Sequence, residues 1–238
     1  MKQTFFITGT DTGTGKTVLT ALLVKFLRGR GVNAVALKPV CSGNRDDARK
    51  IFAAMNGAFE VQSPKSKLQS LALSLEEINP WHFRAPIAPL LAARRENKRV
   101  KFSQVLAHAR AMQKRFDVLL VEGAGGLLSP LGENFNSRDL IQTLRATPIA
   151  VAQNKLGAVN QVLLTLEALP KIFQAKAKVI LVSPPKPDSA TNSNVKLLGQ
   201  FLDSEKVFSL PWFGKKFDAA EVLKNSRVQR MLRALAQV

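Results

Sequence analysis

The 238-residue chain contains no tyrosine, one cysteine and two histidines, and it sets 17 acidic residues against 35 lysines and arginines. Cys41 has no partner for an internal disulfide, which is compatible with a reducing cytoplasm. With neither histidine near it in sequence, it reads as a small packing residue rather than a nucleophile. His82 and His108 lie far apart, without other ligand-type residues at metal spacing, and read as structural. No apolar run approaches the roughly 18 residues of a membrane span. The opening segment, MKQTFFITGTDTG, reaches Asp11 early and has no small-residue cleavage site, so a first strand is expected there and not a signal peptide. These absences lead to the expectation of a soluble, cytoplasmic protein. The lack of tyrosine carries no functional reading.

What is present is a globular composition, 46% hydrophobic and 22% charged, with enough length for one sizeable core, so residues 1–238 are expected to form a single domain. The net charge of +18 attracts phosphates in general. Yet the basic residues are spread, with clusters no denser than Arg94-Arg95, Lys98-Arg99 and Lys215-Lys216, and there is no polybasic tail. That spread argues against nucleic-acid binding as the main function.

Residues 3–8 (QTFFIT) read as a strand, followed by a glycine-rich loop and an apolar helix from Lys16 to about Arg30. Residues 33–38 (NAVALK) read as a second strand, and Asp46 begins a short helix with two carboxylates in its first turn. Residues 57–80 are expected to form an irregular excursion. Helices are expected from Pro86 to Arg95 and from Ser103 to Arg115, the latter capped by Ser103. Asp117–Val121, Ile149–Ala152 and Val179–Val182 are short apolar runs of the kind that buried parallel strands need, with a helix at 158–173 and a last strand at 207–210. This alternation implies an α/β fold with a mostly parallel sheet covered on both faces, and ligands at the carboxyl ends of its strands.

The segment GTDTGTGKT, Gly9 to Thr17, follows a strand and opens a helix, so its backbone N–H groups can surround phosphate oxygens. Lys16 supplies a cation to the outer phosphates and Thr17 a hydroxyl for magnesium. Five residues separate Gly9 from Gly15, one more than in the usual G-x-x-x-x-G-K-[ST] pattern. Glu122, at the end of DVLLV and the start of EGAGG, is the stronger candidate to complete a magnesium site; Asp47 or Asp46 is the second. Lys38 in KPVCSG, Lys38 to Gly43, could hold a carboxylate, carbamate or phosphoryl oxygen, with Ser42 as a further donor.

Taken together, these segments resemble dethiobiotin synthetase. The resemblance is carried by GTDTGTGKT at 9–17, KPVCSG at 38–43, RDDA at 45–48, NPWHFRAPIAPLLAA at 79–93, VEGAGGLLSPL at 121–131, NKLGAVNQVLLTLEAL at 154–169 and LPW at 210–212, in the family's order. It implies a three-layer phosphate-loop NTPase fold and an ATP-dependent ring closure in biotin biosynthesis. Carbon dioxide adds to one amine of 7,8-diaminononanoate, the carbamate takes the γ-phosphoryl of ATP, and the second amine closes the ring. It assigns nucleotide contacts to Gly13, Thr14, Gly15, Lys16, Thr17, Val18, Asp47, Glu122, Gly123, Ala124, Gly125, Ser183, Leu210, Pro211 and Trp212. Magnesium falls to Thr17, Asp47 and Glu122, and catalysis to Lys16 and Lys38. Thr12, Lys38 and Ser42 match positions at the diamine end. Leu156, Gly157, Ala158, Val159 and Asn160 match a helix start that holds the substrate's distant carboxylate from a second subunit, which implies a homodimer with shared active sites.

Where many members carry an adenine-reading asparagine, this chain has Ser183, a single hydroxyl that leaves open a relaxed choice of nucleotide. Partitioning ATPases, the nearest rival class, carry a second lysine early in the loop, K-G-G-x-G-K, where this chain has Asp11. Related amidation or acyl-transfer enzymes are expected to carry a further domain for which 238 residues leave no room.

Overall fold

The computed structural model describes residues 2–56, 73–214 and 217–237. Six parallel strands form the main sheet in the order β10-β9-β8-β1-β5-β2. They are β1 Gln3–Gly9, β2 Ala34–Leu37, β5 Val118–Gly126, β8 Thr147–Gln153, β9 Lys178–Val182 and β10 Val207–Leu210. The burial of Phe5, Phe6 and Ile7 in succession, with no alternation, reflects a strand covered on both faces. Helix α1 Lys16–Gly29 contacts α2 Asp46–Asn56, α10 Ala219–Val222 and α11 Ser226–Ala236, while α5 Phe102–Arg115 contacts α6 Ser137–Leu144. Both α1 and α6 contact β1 and β5.

Strand order places the functional crevice. From β1 the chain goes out to the edge strand β2, returns to β5, and then continues on the other side through β8, β9 and β10. The order therefore reverses at β1, and ligands in such sheets bind at the carboxyl ends of the strands beside the reversal. Gly9 ends β1 there, in register with Gly126 of β5 and Val151 of β8.

Several local expectations need correction. Residues 86–88 precede the helix, and α4 runs Pro89–Arg95, with Pro89 in its first turn, where a missing N–H costs nothing. Ser103 lies inside α5; the cap position is Lys101, whose N–H donates to the Gln104 side chain at 3.4 Å. The helix expected over 158–173 is two, α7 Ala158–Glu167 and α8 Lys171–Gln174, divided at Pro170. Strand β5 runs past Glu122 to Gly126. Within the expected excursion, Leu75–Ile78 forms a short helix, α3, closed by a Ser74–Glu77 capping box. Residues 57–72 and the Lys215-Lys216 pair lie outside the described residues. Two small sheets, β3 Val40–Ser42 with β4 Trp81–Phe83 and β6 Pro130–Gly132 with β7 Phe135–Asn136, had no expectation attached.

Candidate active site

The loop between β1 and α1 turns twice through left-handed backbone, at Gly13 (φ 73°) and Gly15 (φ 97°), a region costly for a residue with a Cβ. Gly15 is the N-cap of α1, and the first turn of that helix holds no acidic residue, so nothing of its own neutralises the positive end of the dipole. Lys16 is 6% exposed, and its ammonium donates to the Asp11 carbonyl at 2.7 Å. Burial foremost, and the charge of Lys38 next, lower the Lys16 pKa from 10.5 to about 8.

One turn into the site, three anionic or hydroxylic groups meet a buried cation. Lys38 Nζ lies 2.6 Å from Glu122 Oε1 and 3.1 Å from Asp47 Oδ2. Thr17 Oγ1 donates to the same Glu122 oxygen at 2.7 Å. Burial opposes the charge on Lys38, but Glu122 and then Asp47 overcome it, so its pKa is raised and the ammonium persists. Burial would lift the Asp47 carboxyl, yet the Lys38 charge and the hydrogen bonds from Lys38 and Thr17 hold it below its usual value. Asp46 turns away, to Asn44 and Arg49.

Two cavities flank the phosphate loop. The larger, about 760 Å³, runs from Thr12 and Lys16 past Lys38, Ser42 and Asp47 to Ala124, Gly125 and Ser129. The smaller, about 310 Å³, lies beyond Gly13–Gly15 and Val18 and is walled by Ser183, Pro211 and Trp212. Most of the residues singled out in the sequence line one or the other. Glu122 lines neither cavity, and Gly123 packs inward, where an added Cβ would meet Ser137 Oγ at 2.6 Å and the Phe6 ring at 3.1 Å. Leu210 is fully buried, and its carbonyl accepts from the Ser183 N–H. Leu156–Asn160 form the start of α7, with Gly157 as its left-handed cap and Leu156 84% exposed, and they line neither cavity.

Cys41, expected to be a packing residue, also lines the larger cavity. Cys41 is buried and bonded to Asn79, and burial raises its pKa; the two imidazoles contact the backbone carbonyls of Gly43 and Glu77 at 2.8 Å. The Ser42 hydroxyl donates to the Ile87 carbonyl, tying KPVCSG to the segment before α4. The residues that sequence reasoning missed include Asn44, Lys50, Ser129 and Pro130 on the larger cavity and Gln153, Asn154, Phe213 and Phe217 on the smaller. Ser129 and Pro130 stood inside a quoted motif, whereas Phe213 and Phe217 had only their place beyond the LPW segment to mark them.

A family model described as an AAA domain matches residues 3–215. The chain is 36% identical over 208 residues to the ATP-dependent dethiobiotin synthetase BioD of Anaeromyxobacter sp. (strain K), covering 87% of this chain and 89% of that one. It is 43% identical over 168 residues to the protein of the same name from Anaeromyxobacter sp. (strain Fw109-5), covering 69% of each. The chain belongs to the dethiobiotin synthetase family. Dethiobiotin synthetases are ATP-dependent ligases, which accounts for a phosphate loop joined to a second cavity that holds charged side chains. Among solved structures, the MinC:MinD cell division protein complex of Aquifex aeolicus aligns with TM-score 0.58 at 15% identity, covering 99% of this chain and 94% of that one. A pNOB8 ParA chain bound to nonspecific DNA aligns with TM-score 0.56 at 12% identity, covering 100% and 98%. At such identities the likeness is one of fold.

A magnesium ion suits the donors of this site. Glu122 Oε2 is buried without a hydrogen-bond partner among the described residues, an orphan acceptor that calls for a cation or a water. Two carboxylates and a hydroxyl are hard oxygen donors, too few to enclose an ion alone, as expected where phosphates and waters complete the shell. Among the described residues no group of three or more His, Cys, Asp or Glu side chains is placed to hold a metal by itself.

Proposed function

We propose that the chain closes the ureido ring of dethiobiotin from 7,8-diaminononanoate, carbon dioxide and ATP. The observation that carries this reading is the buried Lys38 ammonium, fixed between Glu122 and Asp47 where the larger cavity meets the phosphate loop. A cation held there offsets charge on a carbamate placed beside the outer phosphate.

The first amine attacks carbon dioxide and loses a proton, giving the carbamate. A carbamate oxygen then attacks the γ-phosphorus, and the bond to the ADP oxygen breaks as the mixed anhydride forms. The second amine attacks the carbamoyl carbon and loses its proton; the carbon–oxygen bond breaks, phosphate leaves and the ring is closed. The loop N–H groups and Lys16 hold the phosphates, and Lys38 holds the carbamate oxygen. Thr12 and Ser42 orient the diamine end. Magnesium held by Thr17, Asp47 and Glu122 would neutralise charge on the outer phosphates. No covalent nucleophile is required of the protein.

The start of α7, Leu156 to Asn160, lines neither cavity of its own chain, and we assign it to the substrate carboxylate bound by a second copy. The working unit is then a homodimer, acting in the cytoplasm. Phosphate release measured with ATP tests the reaction. It should require diamine and bicarbonate together; equal release without the diamine would refute ring closure.

A further inference from the structure

Behind Lys38 stands a second layer of polar contacts, centred on Asn79 and Arg45. Asn79 is fully buried between α3 and β4, and its side-chain amide is engaged at both ends. Nδ2 donates to the backbone carbonyl of Lys38 at 2.7 Å. Oδ1 accepts from Arg45 Nε at 2.9 Å and from Cys41 Sγ at 3.2 Å. Arg45 adds a second bond, from Nη2 to the Asn79 carbonyl at 2.6 Å, so the guanidinium docks on one residue with two donors. Its Nη1 reaches Glu76 at 3.0 Å, but that carboxylate is 73% exposed and adds little.

Arg45 is also where α2 begins. Its carbonyl accepts a hydrogen bond from the Arg49 N–H at 3.0 Å, which opens the helix, and Asp47 follows two positions later. The buried stripe of α2, formed by Ala48, Ile51, Ala54 and Met55, starts only after Asp47. The turn that carries Asp47 has no apolar contact of its own, and a helix start with unpaired N–H groups frays unless something fixes it. Arg45 ties that turn to the residue that also ties down the Lys38 carbonyl. One buried amide thus spans the two backbones whose side chains meet at 3.1 Å, Lys38 Nζ and Asp47 Oδ2.

We propose that Arg45, docked on Asn79, is a positioning residue that sets Asp47 at the distance from Lys38 and the phosphate loop that a magnesium-bound nucleotide requires. This rests on the placement of magnesium and nucleotide in the function proposed above. Neither Arg45 nor Asn79 lines the larger cavity, so both act through the residues they hold. Partners of this kind, one step removed from a metal, change metal affinity by about 10–100-fold when they are removed.

Arg45→Met keeps an apolar stem and removes the donors. The test titrates wild type, Arg45→Met, Asp47→Ala and the double variant calorimetrically with a non-hydrolysable ATP analogue, in excess magnesium and again in EDTA. Arg45→Met should weaken binding in magnesium by about tenfold. In EDTA it should stay within about twofold of wild type, and in the Asp47→Ala chain it should add nothing to the loss. Wild-type affinity of Arg45→Met in magnesium would overturn the inference. So would a loss of the same size in EDTA or on top of Asp47→Ala, since general loosening of the fold produces that pattern. Arg45→Lys, which retains one donor, should behave likewise at smaller size, and it decides the matter should Arg45→Met not fold. No diamine is present, so failure here leaves ring closure standing. A chain that binds as expected but forms no cyclic product would refute the proposed reaction alone.

Discussion

Lys38 and Glu122 are joined by a 2.6 Å contact between two side chains that are 5% and 0% exposed. A buried pair of this kind gains little over an apolar pair of the same shape, but removing one member strands the other. Lys38→Ala should therefore lower stability by about 3 kcal/mol in urea unfolding, because Glu122 then keeps the Thr17 hydroxyl but no cation, and Asp47 loses its cation as well. Turnover should fall by about 10² or more. Adding Glu122→Leu should recover part of the stability and none of the turnover. Full recovery of both would mean that the pair has no part in the chemistry.

Gly9 has no space for a side chain. A Cβ there would stand 2.7 Å from Thr14 Oγ1, 2.8 Å from the Asp11 carbonyl and 2.8 Å from Lys16 Nζ. Gly9→Ala should displace the loop and weaken ATP binding by about 1–3 kcal/mol. Gly29→Ala, with nothing within 4 Å of the new atom, serves as the control. Equal ATP affinity in the two variants would count against the described loop.

The Lys16 ammonium titrates at about 8, held down first by burial and then by Lys38. Phosphate binding favours its charged form, which is present below that pH and lost above it. Nucleotide affinity should thus weaken by roughly tenfold between pH 7 and pH 9, with proton uptake on binding at the higher pH. The folding linkage has the opposite sign. Between about 8 and 10.5 the folded chain binds fewer protons at Lys16 than the unfolded one, so this group's contribution to stability rises with pH across that window. Identical dissociation constants at pH 7 and 9 would contradict the assignment.

The proposed sharing of sites between two copies predicts complementation. A Lys38→Ala chain lacks its own site, whereas a chain altered at the α7 start, for example Gly157→Asp, spoils the site of its partner. Neither homodimer should turn over. After co-refolding, half the dimers are mixed and each carries one intact site, so about a quarter of wild-type activity should return. A mixture as inactive as its parents would place each active site within one chain.

Most of the site's parts are legible in the sequence, because a strand ending in GTDTGTGKT and another ending in EGAGG must deliver Lys16, Thr17 and Glu122 to one end of a parallel sheet. Their assembly is not legible. The Lys38–Glu122 contact spans 84 positions, and only the pairing of β2 with β5, from Ala34 opposite Val118 to Leu37 opposite Val121, brings the two together. The choice of Asp47 over Asp46 depends on which face of α2 meets Lys38. Helix ends fail for a similar reason: Ser103 has the chemistry of a cap, but Gln104 reaching back to Lys101 starts the helix earlier. Asn154 shows the other limit, since a side chain whose residue lines a ligand cavity proves to be occupied by Thr191 and Asn194, which sequence alone does not bring near it.

Ring closure itself is tested most directly with ¹³C-bicarbonate, ATP, magnesium and 7,8-diaminononanoate, followed by mass analysis of the organic product. The account predicts a cyclic urea carrying the labelled carbon, formed in equal amount with ADP and phosphate, and absent with Lys38→Ala. Unaltered diamine beside released phosphate would contradict it.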